Sequence, residues 1–229
     1  MTRRDELSAG LAAVQDRVSA ACAAAGRPRG DVLLVAVSKT WPASDVALVQ
    51  ELGVRDFGEN KDQEAAAKAS QVSGVRWHFV GRLQTNKARS VAAYADVVHS
   101  VDRARLAQAL SSGAERADRT LEVLLQVSLD GDGSRGGTLP ADLPALAALA
   151  AGLPGLRLAG VMAVAPLGSD PREAFDRLAV LSSALRADHP GATAVSAGMS
   201  GDLAEAIAAG ATHVRVGTAL LGHRPPVLR

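Results

Sequence analysis

Apolar residues along the chain fall into short β-type runs separated by longer alanine- and leucine-rich stretches of helical character. The runs are Val32–Val37, Val54–Phe57, Arg76–Val80, Asp96–His99, Leu121–Val127, Leu158–Ala163, Ala192–Ser196 and His213–Val216. Regular alternation of this kind predicts parallel β/α units. Eight such units favour closure into a (β/α)₈ TIM-type barrel over an open sheet, because a closed sheet has no unpaired edge. The segment Leu7–Ala25 precedes the first run and predicts an extra N-terminal helix. Gly53, Gly74, Gly113, Gly155 and Gly210 each lie between a helical stretch and the next run, where a left-handed cap suits glycine. The most polar Gly-rich stretch, Asp130–Gly137, predicts a modest loop after the fifth strand and not a domain linker.

Composition narrows the class. A length of 229 residues with 48% apolar side chains suits one domain spanning 1–229 with a sizeable core. The 25 basic and 24 acidic residues are interspersed, so no polycationic surface exists for nucleic acid, which is not expected as a partner. Charges break up the amino terminus, and no stretch reaches about 18 uninterrupted apolar residues, so neither a secretion signal nor a membrane span is expected. Cys22 is the single cysteine. That excludes an internal disulfide, fits a reducing, cytoplasmic setting and is read as helix packing. The histidines at 78, 99, 189, 213 and 223 lack metal-ligand spacing, and no metal is expected.

In such barrels the active site forms at the carboxyl ends of the strands, so the polar residues that follow each run carry the chemistry. Only four of the basic residues are lysines, Lys39, Lys61, Lys68 and Lys87, against 21 arginines. Lys39 ends the first run in Val35-Ala36-Val37-Ser38-Lys39-Thr40. A primary amine forms an imine with an aldehyde, whereas a guanidinium is too basic to do so. The plain structural alternative is a lysine that snorkels at a strand end.

Phosphate sites in these barrels use the loops after strands seven and eight. Here those loops read Ser196-Ala197-Gly198-Met199-Ser200-Gly201-Asp202 and Arg215-Val216-Gly217-Thr218. Gly198 and Gly217 would let the backbone approach an anion, and Ser196, Ser200 and Thr218 offer hydroxyls; Ser200 is also a candidate N-cap for a helix over Leu203–Ala209. Turn glycines and a simple cap would explain either loop alone, whereas the pair favours an anion. Arg215, inside the last strand pattern, must face the barrel mouth or be paired. Opposite a bound pyridine it would keep the ring nitrogen unprotonated and make the ring a weaker electron sink.

Together with Phe57-Gly58-Glu59-Asn60 and Trp77-His78-Phe79-Val80-Gly81-Arg82-Leu83-Gln84-Thr85-Asn86-Lys87, these segments resemble the motif series of the pyridoxal phosphate homeostasis proteins, which share the barrel of the alanine racemase amino-terminal domain. The match runs in order from about residue 30 to 222. The resemblance implies that the cofactor is pyridoxal 5′-phosphate (PLP). It further implies that Lys39 is the Schiff-base lysine, that Asn60 lies beside the cofactor, that Ser200, Gly217 and Thr218 hold its phosphate, and that Arg215 faces the pyridine. Met162 and Met199 would pack near the ring, or serve as ordinary core. Ala197 stands where the family usually has methionine, with a small change in packing expected. His78 is read as a hydrogen-bonded core residue in preference to a proton carrier. Asn86 and Lys87 belong to the third loop, with surface solvation as the plainer reading.

The implied function is intracellular PLP homeostasis without convincing catalytic machinery: buffering the cofactor, protecting its aldehyde and passing it to PLP-dependent apo-enzymes. The competing reading is an amino-acid racemase, which needs acid and base on opposite faces of the substrate carbon. Tyr94 is the one tyrosine, and the chain ends at Arg229 without room for the additional β-domain of alanine racemases. A metabolite-binding scaffold with a structural Lys39 is the third possibility. Nothing in the first or last helices advertises an apolar interface, so a monomer is expected.

Overall fold

A computed structural model describes residues 1–131 and 136–222; within the expected Asp130–Gly137 loop, positions 132–135 lie outside the described residues, as do His223 and Arg229. The strands are β1 (Leu33–Val37), β2 (Asp56–Glu59), β3 (Arg76–Phe79), β4 (Val97–Val101), β5 (Leu121–Gln126), β6 (Leu156–Met162), β7 (Ala194–Ser196) and β8 (His213–Val216). They close in sequence order into one parallel barrel, with β8 returning to β1 through Val35 opposite Arg215. The helices are α1 (Arg3–Ala24), α2 (Ala43–Glu51), α3 (Asp62–Ala69), α4 (Ala88–Tyr94), α5 (Ala104–Arg116), α6 (Leu143–Gly152), α7 (Pro171–Asp188), α8 (Leu203–Ala208) and α9 (Thr218–Leu221). This is the TIM barrel with an additional N-terminal helix that the pattern predicts.

The additional helix begins earlier than expected because Thr2 and Asp5 form a reciprocal capping box, the Thr2 hydroxyl taking the Asp5 N–H and the Asp5 carboxylate taking the Thr2 N–H. Its buried stripe is Leu7, Leu11, Val14, Val18 and Cys22, and each large aliphatic side chain removed from water contributes about 1.5–3 kcal/mol. That stripe packs with Leu203, Ile207, Leu220 and Leu221, so α1 braces the two short helices that follow β7 and β8. Arg17 donates to the Ser200 carbonyl at 2.6 Å and Arg3 to the Leu221 carbonyl at 2.8 Å, fastening the same two loops.

Gly53, Gly74, Gly155 and Gly210 occupy the left-handed region at φ +99°, +74°, +71° and +97°. Gly113 is different. It lies inside α5, where an added Cβ would come 2.9 Å from the Ala92 Cβ, so its smallness lets α4 and α5 approach and it caps nothing. The second strand is also displaced from Val54–Phe57 to Asp56–Glu59, where the Asp56 carboxylate meets His78 and that of Glu59 meets Lys68 inside the fold. Both Asp56 and Glu59 are buried.

The core divides unevenly. Two large apolar clusters lie between the sheet and its helices, whereas the apolar cluster formed by Val97, Leu124, Ala159 and Met162 is small. Hydrogen-bonded His78, His99, Ser196 and Arg215 occupy space that barrels of this class usually fill with branched aliphatics.

Candidate functional site

A cleft of about 510 Å³ opens at the carboxyl ends of the strands. Lys39, Asn60, Met199, Ser200, Arg215, Gly217 and Thr218 all line it, with Met162 beside them. Each arrives by its own route. Lys39 follows β1 in a tight turn closed by the Trp41 N–H on the Ser38 carbonyl at 3.1 Å, and its side chain is exposed to the cleft. Thr40, the next residue, has φ +71°, a left-handed conformation unfavourable for a β-branched residue. The turn is held because the Thr40 N–H donates to Glu64 Oε1.

Behind that turn lies a buried ionic cluster that the sequence did not disclose. Lys68 is 4% exposed and donates to the Ser38 carbonyl at 2.7 Å, to Glu59 Oε1 at 2.6 Å and to Glu64 Oε1 at 2.7 Å. All three ammonium donors are thereby used. Ser38 Oγ donates to the same Glu59 oxygen at 2.7 Å. Burial pushes the Glu59 carboxyl above its usual range, against the opposing pull of Lys68 and Ser38. The cluster ties α3 and β2 to the turn that presents Lys39. A lysine near the end of a short alanine-rich helix gave little hint of this; the pairing of Glu64 with Lys68 at i,i+4 was the available signal.

At the other end, Gly198 takes φ +87°, and an added Cβ would strike the Ala206 Cβ at 2.6 Å. The backbone then turns from Met199 to Asp202, with the Asp202 N–H on the Met199 carbonyl at 3.3 Å, so Ser200 and Gly201 sit at the tip facing the cleft. Ser200 is not the helix cap that was expected. Asp202 holds the N-cap position of α8, and its carboxylate accepts the Met199 N–H at 2.6 Å, which bends the loop back and leaves Ser200 outside the helix. Gly217 and Thr218 start the short α9, whose Leu220 and Leu221 N–H groups both donate to the Gly217 carbonyl at 2.9 Å.

Arg215 is 6% exposed at the cleft floor. It donates to Ser196 Oγ at 2.6 Å and to the Ala163 carbonyl at 3.0 Å, and burial pushes its pKa down to about 10, so it stays cationic near neutrality. Met162 is 2% exposed within the barrel, whereas Met199 is 40% exposed at the rim. Ala197 is buried among apolar neighbours. Lys87 lines a neighbouring cavity with Asn60 and pairs with Asp62 at 3.8 Å, and Asn86 is exposed; neither lines the cleft that holds Lys39. His78 faces into the barrel as a hydrogen-bonded core residue, as expected. Tyr94 does not line the cleft, and burial pushes its hydroxyl pKa up. Among the described residues no cluster of histidine, cysteine or carboxylate side chains is placed to hold a metal, and no helix is long and apolar enough to cross a membrane.

The closed parallel barrel thus brings an amine from the end of the first strand and glycine-containing loops from the last two to one cleft. Residues 10–225 match the family model of the alanine racemase N-terminal domain. A Mycobacterium tuberculosis pyridoxal phosphate homeostasis protein is 45% identical, over 97% of this chain and 94% of that protein. PipY of Synechococcus elongatus, solved with PLP bound, is 35% identical with a TM-score of 0.83, covering 94% of this chain and all of that one. Alanine racemase of Corynebacterium glutamicum shares the fold at 14% identity and a TM-score of 0.73, covering 99% of this chain and 63% of its own. The chain belongs to the alanine racemase N-terminal-domain family and, within it, to the pyridoxal phosphate homeostasis proteins.

Proposed function

We propose that the cleft binds PLP through a reversible covalent tether on Lys39 and that the protein, a single domain acting as a monomer, serves PLP homeostasis in the cytoplasm. The observation that carries this reading is the convergence of Lys39, Arg215 and the Ser200 and Gly217-Thr218 loops on one cleft. A phosphorylated pyridine aldehyde fits that donor set: an amine for the aldehyde, hydroxyls and turn backbone for the phosphate, and a fixed cation for the ring nitrogen. When bound, PLP supplies an electrophilic carbonyl and an electron-withdrawing ring. The names of the relatives and the PLP-bound PipY structure support the same assignment.

In this reading the Lys39 amine holds the cofactor, Asn60 contacts it from the second loop, and Ser200, Gly217 and Thr218 bind its phosphate. Met162 and Met199 exclude water from the ring, and Arg215 donates to the pyridine nitrogen, keeping it unprotonated. Buffering follows from reversibility at Lys39, and the open cleft provides a route to hand the cofactor to PLP-dependent apo-enzymes. Against a racemase stands the cleft lining, which offers Lys39 but neither tyrosine nor histidine among the described residues as a second base.

The test is to incubate PLP-loaded protein with a panel of amino acids in deuterated water and, separately, with a PLP-dependent apo-enzyme. The reading predicts negligible α-proton exchange together with reactivation of the apo-enzyme. Exchange at rates competitive with racemases would overturn it.

A further inference from the structure

The barrel interior holds an unbroken run of polar contacts from the cleft floor to the opposite end. Arg215 Nη1 donates to Ser196 Oγ at 2.6 Å, Ser196 Oγ lies 2.9 Å from His99 Nδ1, His99 Nε2 lies 2.8 Å from His78 Nδ1, and His78 Nε2 lies 2.9 Å from Asp56 Oδ1. The link from His99 to Ser196 joins β4 to β7 across the barrel. All five side chains are buried, Ser196 and His99 completely.

With both imidazoles neutral, the carboxylate end fixes the direction of every hydrogen bond along the chain. A guanidinium only donates and an ionised carboxylate only accepts. His78 Nε2 then donates to Asp56, which leaves His78 Nδ1 to accept from His99 Nε2 and His99 Nδ1 to accept the proton of Ser196 Oγ, whose lone pair takes the Arg215 N–H. In this assignment both rings carry their proton on Nε2. The surroundings of His99 agree: burial, with His78, Arg215, His213 and Arg76 nearby, pushes its pKa well below the ordinary histidine value. His213 stands 6.5 Å from the His78 ring and 6.2 Å from the His99 ring, held by Thr212 Oγ1 at 2.8 Å. Arg76 reaches Asp56 at 3.9 Å and Glu122 at 2.8 Å on the far face of the barrel.

We propose that Asp56, His78, His99 and Ser196 are positioning residues for Arg215, forming one directional hydrogen-bond chain that locks the guanidinium in the orientation it presents to the cofactor ring. The inference rests on the reading that Arg215 meets the pyridine nitrogen. Reversing a single link would place two donors, or two acceptors, face to face in a dry interior, which a buried network tolerates poorly. The Asp56 carboxylate thus acts at a distance, by giving the chain an acceptor terminus. With Nη1 and Nη2 committed to Ser196 and Ala163, the remaining guanidinium donors are left for the cleft.

The experiment uses PLP-loaded protein and four samples: wild type, Arg215→Gln, His99→Leu and His99→Gln. Leucine breaks the chain; glutamine has an acceptor and a donor with which to restore it. In wild type, nitrogen-15 NMR should find both the His78 and His99 rings as neutral Nε2–H tautomers near neutrality; an Nδ1–H tautomer or an imidazolium at either would overturn the chain. In His99→Leu the visible band of bound PLP should shift as it does in Arg215→Gln, with release faster by about tenfold, the usual scale for losing an orienting partner, and His99→Gln should return both towards wild type. An altered spectrum in Arg215→Gln with an unaltered one in His99→Leu would refute the chain and leave the ring contact standing. An unaltered spectrum in Arg215→Gln would refute the ring contact itself. Should His99→Leu fail to fold, the wild-type tautomers decide.

Discussion

Lys68 Nζ and Glu59 Oε1 form an ion pair at 2.6 Å with both side chains almost fully buried, directly behind the turn that carries Lys39. A buried pair is weak evidence of net stabilisation, because desolvation offsets much of its attraction, but removing one partner strands the other charge. The pair also has a mechanical use. Lys68 grips the Ser38 carbonyl and shares Glu64 with the Thr40 N–H, so the left-handed Thr40 is held by contacts on either side of Lys39. Lys68→Met is expected to destabilise folding by about 3–5 kcal/mol, the range for breaking a buried pair. Adding Glu59→Gln should recover part of that loss, as urea unfolding will measure. A single variant with unchanged stability would show that Lys68 is solvated.

Acid should weaken the fold through its buried His99 and half-buried His213 imidazoles. Burial lowers His213 to about 4 and His99 well below the ordinary 6.5, so the folded state keeps both neutral while the unfolded chain protonates them first. A depressed folded pKa contributes stability that is complete above the unfolded value and is lost as pH falls towards the folded one. Melting temperature should therefore fall as pH drops below about 6.5, before carboxylate protonation dominates near about pH 4. His213→Asn should flatten that slope. An identical slope in the variant would assign the acid sensitivity elsewhere.

Gly81, which opens the third loop, lies against the backbone of the cleft-lining residue Asn60. An added Cβ would stand 2.3 Å from the Asn60 carbonyl oxygen and 2.7 Å from its Cα, too close for either backbone to remain in place. Gly81→Ala is expected to cost about 1–3 kcal/mol, typical of overpacking, and to weaken PLP binding by displacing Asn60. Differential scanning calorimetry and a PLP titration check the two effects separately. Weaker folding with unchanged PLP affinity would remove Asn60 from the binding site.

Much of this architecture was legible from local sequence. Strand periodicity and the glycines at 53, 74, 155 and 210 report properties of a few neighbouring residues, and these gave the barrel and its joints. Lys39 and the last two loops were found because a barrel places its chemistry after its strands. Local reasoning failed where a distant partner decides the outcome. Gly113 is small for the sake of Ala92, and Ser200 loses the cap to Asp202 because that carboxylate reaches back to Met199. The second strand runs past the expected segment to Glu59, which Lys68 meets inside the fold, and starts at Asp56, which His78 meets. The histidine chain joins residues up to 97 positions apart, and no spacing rule encodes that. One trace was present: histidines recur in the third, fourth and eighth runs, an unusual choice for the lining of a barrel.

Lys68 also bears on the choice of tether. Its three donors are occupied, and Lys61 and Lys87 line the neighbouring cavity and not the cleft of Lys39. Of the four lysines, Lys39 alone lines the cleft with Arg215 and the loops after β7 and β8. Borohydride reduction of the PLP-loaded protein, followed by peptide mass mapping, tests this directly: the account predicts one stable cofactor adduct, on Lys39, absent in Lys39→Ala, and an adduct on another lysine or none at all would contradict it.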